Sequence, residues 1–349
     1  MRSIPHNRLF HGSEELKAIA GVIRSGQWAA GPKLSELEGR MASVAGRTHA
    51  VGVSSGVAAL RLSLLALGVG RGTAVAVPAY SCVALPNAVL ACGGEVVPVD
   101  VQDGTWNICP RALNVAMSRH RNIRAVVAVH TFGAPSQIDD LMATGLPVIE
   151  DCSHAFGMGT LGGVGSMAIL SLYASKLLGA GEGGMVITSD AALADRVRAE
   201  RDYSDKSPSA MRLNEKMTDM EATLALCQLD RLAEVILRRD KLERRYTAAF
   251  KPLLDVGVCD LPINMSNRIW YRYAVKVKKP DQVIDSMASY GIIVARPVED
   301  WGGAIDSTPA AREAYAHLVS LPLYPSLTIR EQDRVISVFK SVLSNTQPL

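Results

Sequence analysis

Residues 147–188 read PVIEDCSHAFGMGTLGGVGSMAILSLYASKLLGAGEGGMVIT. Three short apolar runs lie in this stretch, at 147–149, 167–172 and 184–188. The first ends at Glu150-Asp151. The second leads towards Lys176, and Gly179 and Gly181-Glu182-Gly183-Gly184 separate it from the third. Runs of this length without alternation fit strands covered on both faces. Polar residues at their C-termini stand where open α/β sheets place their sites. Upstream the same grammar repeats. Residues 55–67 predict a helix with Leu60, Leu64 and Leu67 on one face and Gly68 as its stop. Strands are predicted at 73–77, closed by Pro78, at 95–99, ending at Asp100, and at 125–129, ending at His130. The alternation implies βα units around a mostly parallel sheet. Downstream of Thr218 runs a long helical pattern that ends near Phe250. Lys251-Pro252, strand-like runs at 271–277 and 292–294, and a final helix at about 330–343 follow. This predicts a large domain over 1–250 and a smaller C-terminal α/β domain over 251–349.

Composition narrows the function classes. The chain has 349 residues, 48% hydrophobic and 20% charged, which is globular composition. Lys+Arg 37 against Asp+Glu 34 leaves +3, too little to predict a nucleic-acid or acidic-membrane partner. The longest apolar region, 74–99, is cut by Pro78, Pro86, Asn87 and Gly93-Gly94, so no membrane span is expected. Arg2, Pro5, His6, Asn7 and Arg8 occupy the start without an apolar core region, so no signal peptide is expected either. The six cysteines never approach C-x-x-C spacing. They read as reduced thiols of a cytoplasmic protein.

Three motifs could carry chemistry, and each has a plainer reading. Ser54-Ser55-Gly56-Val57-Ala58-Ala59-Leu60 opens a helix whose free N–H groups suit a phosphate, or whose serine is an ordinary cap. Asp151, with His154 three residues on, suits a protonated heteroaromatic nitrogen, or is a helix-capping carboxylate. Lys176 leaves a buried strand into a glycine-rich loop. Desolvation there would suit Schiff-base chemistry, and a solvated loop lysine is the alternative. Gly157-Met158-Gly159-Thr160-Leu161-Gly162 matches G-x-G-x-x-G, but no amphipathic helix follows it, so a dinucleotide fold is not expected. Asp151-Cys152-Ser153-His154 lacks the surroundings of a nucleophile elbow. The histidines show no metal-ligand spacing, and no metal is expected.

The ordered set SSGVAAL from Ser54, PNAV from Pro86, VHTFG from Val129, EDCSHAFG from Glu150, SLYASK from Ser171, GEGGM from Gly181 and NEKMTDMEA from Asn214 resembles the DegT/DnrJ/EryC1/StrS family of sugar aminotransferases. The resemblance runs from Gly31-Pro32 to Leu321-Pro322-Leu323-Tyr324-Pro325. It implies the pyridoxal-phosphate fold type I of the aspartate aminotransferase kind, an α/β fold with a mostly parallel seven-stranded sheet. Lys176 is then the Schiff-base lysine and Asp151 the partner of the pyridinium nitrogen. His154 lies near the cofactor ring. Ser171 and the Gly56-Val57 turn take the phosphate. Asn214 matches the residue a neighbouring subunit sends to that phosphate, which implies a homodimer with shared active sites.

Two positions depart from the family pattern. Val57 replaces the usual Thr, so its hydroxyl is lost while the backbone N–H remains. Cys82 stands where an aromatic usually stacks on the cofactor ring, and a thiol packs but cannot stack. Tyr80 would share a strand face with Cys82 if the chain is extended there. The activity implied is transamination of a keto-sugar, nucleotide-linked, to an amino sugar with L-glutamate as donor, in surface-polysaccharide or secondary-metabolite biosynthesis. Keto-cyclitols are alternative acceptors. A non-catalytic, cofactor-binding sensory member is the alternative of another class. The retained Lys176 ranks transamination above the family's dehydratase branch.

Overall fold

The structure is a computed structural model and describes residues 3–204, 212–254 and 259–344. In chain order the elements are α1 (Ser13–Ser25), α2 (Pro32–Val44), β1 (His49–Val53), α3 (Gly56–Ala66), β2 (Ala74–Pro78), α4 (Ala84–Ala91), β3 (Glu95–Val99), α5 (Pro110–Arg119), β4 (Ile123–Val129), α6 (Ile138–Met142), β5 (Val148–Asp151), β6 (Met167–Ser171), β7 (Gly184–Thr188) and α7 (Ala191–Arg201). There follow α8 (Asp219–Asp230), α9 (Leu232–Leu254), β8 (Cys259–Asp260), β9 (Tyr273–Val277), α10 (Pro280–Ser289), α11 (Pro309–His317), β10 (Leu318–Leu321) and α12 (Ile329–Ser344).

β1 to β7 form one seven-stranded sheet in the order β1-β7-β6-β5-β4-β2-β3. β7 runs antiparallel to both its neighbours, and the pairs from β6 to β3 are parallel. Burial explains why these strands read as unbroken apolar runs. Met167 and Ile169 of β6 join one core cluster with α3, while Ala168 and Leu170 join another with α2 and α8. In β4, Val127 and Val129 face α3 and α4, and Val126 and Ala128 face the layer of α5 and α6. Both pleat faces are therefore dry, and a period-2 polar pattern has no place. Pro98 sits in β3, a sheet edge, where its missing N–H costs no ladder bond.

A second sheet, β10-β9-β8, is antiparallel. Its core gathers Tyr246 and Phe250 of α9, Tyr273, Val275 and Val277 of β9, and Val335 and Phe339 of α12. Among the described residues no helix is long and apolar enough to cross a membrane.

Several expectations shift. The helical pattern after Thr218 breaks at Arg231 into α8 and α9, which serve different cores: Leu226 and Leu229 pack under the large sheet, and Leu242, Tyr246 and Phe250 under the small one. Residues 292–294 form no strand. Ile292 makes a single parallel bridge to Ile4, and the Ile293 N–H donates to the Ile4 carbonyl at 2.9 Å. β1, β8 and β10 had no expected counterpart.

Candidate active site

The C-terminal ends of β5 and β6 bring the chemistry-bearing segments to the start of α3. Asp151 is the last residue of β5 and is buried. Its Oδ1 accepts from the Ser153 N–H at 2.9 Å, and its Oδ2 has no hydrogen bond among the described residues. Ser153 Oγ in turn accepts from the Ser171 N–H at 2.9 Å, which ties the end of β5 to the end of β6. Ser55 caps α3, its side chain accepting from the Ala58 N–H at 3.1 Å. The next residue touches Ser171 so closely that a Cβ on Gly56 would lie 2.6 Å from the Ser171 Cβ. A Cβ on Gly184 would collide with the Ser55 carbonyl. These two glycines let the helix start and two strands converge. The unfilled N–H groups of the first turn of α3 thus lie at the Ser171 side chain, in an anion-binding arrangement.

Lys176 stands five residues beyond β6 on a turn closed by its own N–H to the Tyr173 carbonyl at 2.8 Å. Its Nζ lies 3.1 Å from His154 Nε2. The imidazole is stacked between rings: Tyr271 at 4.2 Å and 13°, and Phe132 at 6.2 Å and 21°. Burial, then the charges of Lys176 and Arg272, push the pKa of His154 well below its ordinary value, so it is a neutral imidazole. Its Nδ1 is buried without a partner. The predicted residues Lys176, Asp151, His154, Ser171 and Gly56 therefore share one locale.

The remaining predicted residues stand differently. Val57 is exposed at the first turn of α3. Cys82 is exposed on the β2–α4 turn. Tyr80 does not share its face, because β2 ends at Pro78 and the chain bends. The Tyr80 ring is buried instead in edge contacts with Trp106, Phe132 and Tyr315. Asn214 is exposed on a segment bridged to Asp202, and its amide bonds to nothing in this chain among the described residues.

The G-x-G-x-x-G stretch opens no helix; its last glycine, with Val164 and Gly165 beyond it, wraps a buried carboxylate. Glu150 Oε1 accepts from Val164 and Gly165 N–H at 2.9 and 2.6 Å, and Oε2 accepts from the Gly162 N–H at 3.0 Å. His130 Nε2 lies 3.1 Å from the same Oε2, while its Nδ1 accepts from the Ser136 N–H at 3.0 Å. That pattern makes Nε2 the protonated nitrogen. His130, Glu150 and Cys152 cluster closely enough to suggest a metal. The donors just named already occupy the carboxylate, so the cluster is structural.

Sequence reading missed a cationic group beside the lysine. Lys176 Nζ and the Arg272 guanidinium each lie 5.5 Å from the Tyr271 ring centroid, and the Arg239 guanidinium lies 5.6 Å from it. Burial alone would raise the Tyr271 pKa, but Lys176, Arg272 and Arg239 together hold it below its ordinary value. Arg239 is buried, and burial with the charge of Arg272 lowers it to about 10. A signal was present: the buried stripe of α9 runs Leu232, Val235, Arg239, Leu242, Tyr246, Phe250, so Arg239 occupies an apolar position. Two cavities adjoin this group. One of about 450 Å³ is lined by Lys176, Phe10, Leu16 and Leu224 among others, and one of about 110 Å³ by Arg239, Tyr271 and Arg272. Asp151, Ser171 and Gly56 line neither.

The model of the DegT/DnrJ/EryC1/StrS aminotransferase family matches residues 10–340. Among solved structures, S. venezuelae DesV in complex with a ketimine intermediate is 29% identical, with 96% of this chain and 95% of that chain covered and a TM-score of 0.89. The aminotransferase TlmJ from Streptoalloteichus hindustanus is 26% identical, with 98% and 99% covered and a TM-score of 0.91. NtdA from Bacillus subtilis, with bound cofactor PMP, is 25% identical, with 99% and 85% covered and a TM-score of 0.90.

Proposed function

The chain belongs to the DegT/DnrJ/EryC1/StrS aminotransferase family, and from that premise we propose that it is a pyridoxal-phosphate-dependent transaminase of a keto-sugar. The acceptor is nucleotide-linked in this reading, L-glutamate is the donor, and the product is an amino sugar. The observation that carries the reading is Lys176 Nζ at 3.1 Å from a neutral His154, on the strand edge where Asp151, Ser171 and Gly56 converge.

The residues fit the cofactor. The side-chain-free approach at Gly56 and the first turn of α3 suit a phosphate. Asp151 has one carboxylate oxygen held and one free, which suits a protonated ring nitrogen. The uncharged His154 offers a flat wall beside the lysine without adding a positive charge there.

When bound, pyridoxal phosphate supplies an electron sink for the bond broken at the amine-bearing carbon. Ser171 and the N–H groups at Gly56 and Val57 hold the phosphate. Asp151, fixed by the Ser153 N–H, keeps a proton on the ring nitrogen. Lys176 Nζ takes a proton from the donor carbon and returns it later, acting as base and then acid. Asn214 is assigned to the phosphate of a second copy, so the working unit is a homodimer with shared sites. The exposed, unbonded amide supports this. The proposed division is a cofactor-binding part over 1–250 and a smaller part over 251–349. Two separate sheets support it, and the Ile4 bridge to Ile292 ties the start of the chain to the smaller part.

The test is the visible spectrum of the protein supplied with pyridoxal phosphate, before and after L-glutamate. A lysine-dependent yellow band that bleaches is expected. A band that glutamate and other amino acids leave unchanged would refute transamination and favour a sensing role. Lys176→Ala should lose the band and slow turnover by at least ~10²-fold with the fold retained. Ordinary turnover by that variant would refute the assignment.

A further inference from the structure

Asn214 sits on a run that its own chain holds from both edges. Asn214 pairs with Asp202, and Lys216 with Val53 of β1, each by a single antiparallel bridge. Between them the Glu215 N–H donates to the Arg201 carbonyl at 3.0 Å, and the Glu215 carbonyl accepts from the Ser54 N–H at 2.8 Å. Along such a strand-like run successive side chains point to opposite sides. Leu213 and Met217 pack into cores of this chain, and Glu215 shares their side. Its two carboxylate oxygens are divided: one accepts from Ser54 Oγ, and the other meets the Arg61 guanidinium of α3. The Arg61 and Glu215 side chains are 23% and 20% exposed, so salt and water screen this pair less than one on an open surface. Lys216 Nζ pairs with Asp202 Oδ1 at 2.9 Å. Among residues 213–217 only Asn214 is exposed, and its amide is left to reach outward.

The tie at Glu215 adds orientation rather than attachment. Single bridges and backbone hydrogen bonds already attach the run, and the buried Met217 anchors its far end. A run attached in that way can still twist about its long axis, and a twist would carry Asn214 inward as Glu215 swung out. Two groups on one carboxylate stop the twist. The neighbouring start of α3 does not need this tie, because Ser55 caps it and Gly56 lies against Ser171. The effect of Glu215 therefore falls on Asn214.

We infer that Glu215, held by Ser54 and Arg61, is the positioning residue that aims the Asn214 amide at the cofactor phosphate of the second copy. This rests on the shared-site reading for what Asn214 meets, and on the structure alone for what holds it. The amide NH₂ donates to a phosphate oxygen. An amide already aimed binds without the ordering loss that a freely turning arm would meet. Glu215 thereby strengthens phosphate binding without touching the phosphate.

The experiment titrates the full chain, stripped of cofactor, by calorimetry with pyridoxamine phosphate and with pyridoxamine, which has no phosphate. Sedimentation reports the oligomer in each case. Asn214→Ala should weaken pyridoxamine phosphate by ~10- to 100-fold, the worth of one hydrogen bond to a charged acceptor. Glu215→Ala should weaken it by ~2- to 10-fold, the ordering loss of a freed side chain. Glu215→Gln keeps an acceptor for Ser54 but drops the charge facing Arg61, and should fall between wild type and Glu215→Ala. In the Asn214→Ala background Glu215→Ala should weaken binding no further, because the residue it aims is gone. Pyridoxamine affinity and the dimer should be retained in every variant. If Asn214→Ala is weakened while Glu215→Ala binds like wild type, the positioning role is overturned and the shared site stands. A Glu215→Ala loss that persists undiminished in the Asn214→Ala background, or that is equal with pyridoxamine, would also overturn it, as the mark of a structural tie alone. If Asn214→Ala binds like wild type, or if the protein holds the cofactor as a monomer, the shared-site reading falls and the positioning role falls with it.

Discussion

Glu150→Gln separates charge from shape at the base of the site. The swap keeps the side-chain volume, so no cavity forms, and what changes is the hydrogen-bond inventory. In the native protein one carboxylate oxygen accepts from Val164 and Gly165 N–H, and the other from Gly162 N–H and His130 Nε2. The amide oxygen of glutamine can keep one pair. Its NH₂ then faces two donors, whichever way the amide is turned. His130 cannot relieve this by moving its proton to Nδ1, because Nδ1 already accepts from Ser136. Two charge-assisted bonds are lost at ~1.5–3 kcal/mol each, so the expected cost is ~3–6 kcal/mol at pH 7. Urea denaturation of both proteins measures it. The carboxyl also carries a pH signature. Burial alone would raise its pKa, but the hydrogen bond from His130 Nε2, then the Gly165 and Val164 N–H groups, hold it below the ordinary value. A depressed carboxyl stabilises fully above its unfolded pKa of ~4.3, and that stability is lost as pH falls through the folded value. The variant should lack this acid-side loss. A stability change under ~1 kcal/mol at pH 7 would refute the view that Glu150 organises the 157–165 loop.

Two further outcomes follow from the same coordinates. Gly56→Ala places a Cβ 2.6 Å from the Ser171 Cβ and 3.0 Å from its Cα, so one strand end or the helix start must move. Thermal melting should show a loss of ~1–3 kcal/mol, and pyridoxal phosphate should dissociate faster; a variant unchanged in both respects would refute the close-approach argument. His6 is lowered from 6.5 to about 4, first by burial and then by Arg272. The folded protein therefore refuses a proton that the unfolded chain accepts below 6.5, and stability falls as pH drops towards 4. Between pH 7 and pH 5 this costs about 2 kcal/mol, which His6→Gln should remove from the slope measured in urea; equal slopes would refute it. His154, lowered in the same direction, keeps its share of the slope in both proteins.

Local physics made the large sheet and the polar residues at its strand ends legible. Residues on β4, β5 and β6 are apolar on both pleat faces because helices cover both, and that leaves an unmistakable run in the chain. Asp151 and Ser171 follow directly, since a polar residue after such a run lies at a strand C-terminus. Gly56 and Gly184 were visible as glycines, but their purpose was not: it lies in the approach of α3 to β6 and of β7 to Ser55. The apparent dinucleotide motif is followed by β6 and β7, not by a helix. Its last glycine and two residues just beyond it, Val164 and Gly165, aim N–H groups at Glu150 through contacts between residues 12 to 15 positions apart. The condition for Tyr80 and Cys82 to share a face, an extended chain, is not met because β2 ends at Pro78, and the Tyr80 ring packs against Phe132 and Tyr315 instead.

The sequence by itself marked strands β2 to β7, the polar residues that follow them and the glycine-rich turns, because each is written in neighbours a few residues apart. Only the tertiary structure decided that Tyr271, Arg239 and Arg272 stand around the lysine. They come from α9 and the approach to β9, far along the chain from Lys176, and their charges act through space rather than along the backbone. Electrostatic energy depends on distance and burial, and neither is set for residues so far apart until the chain has folded.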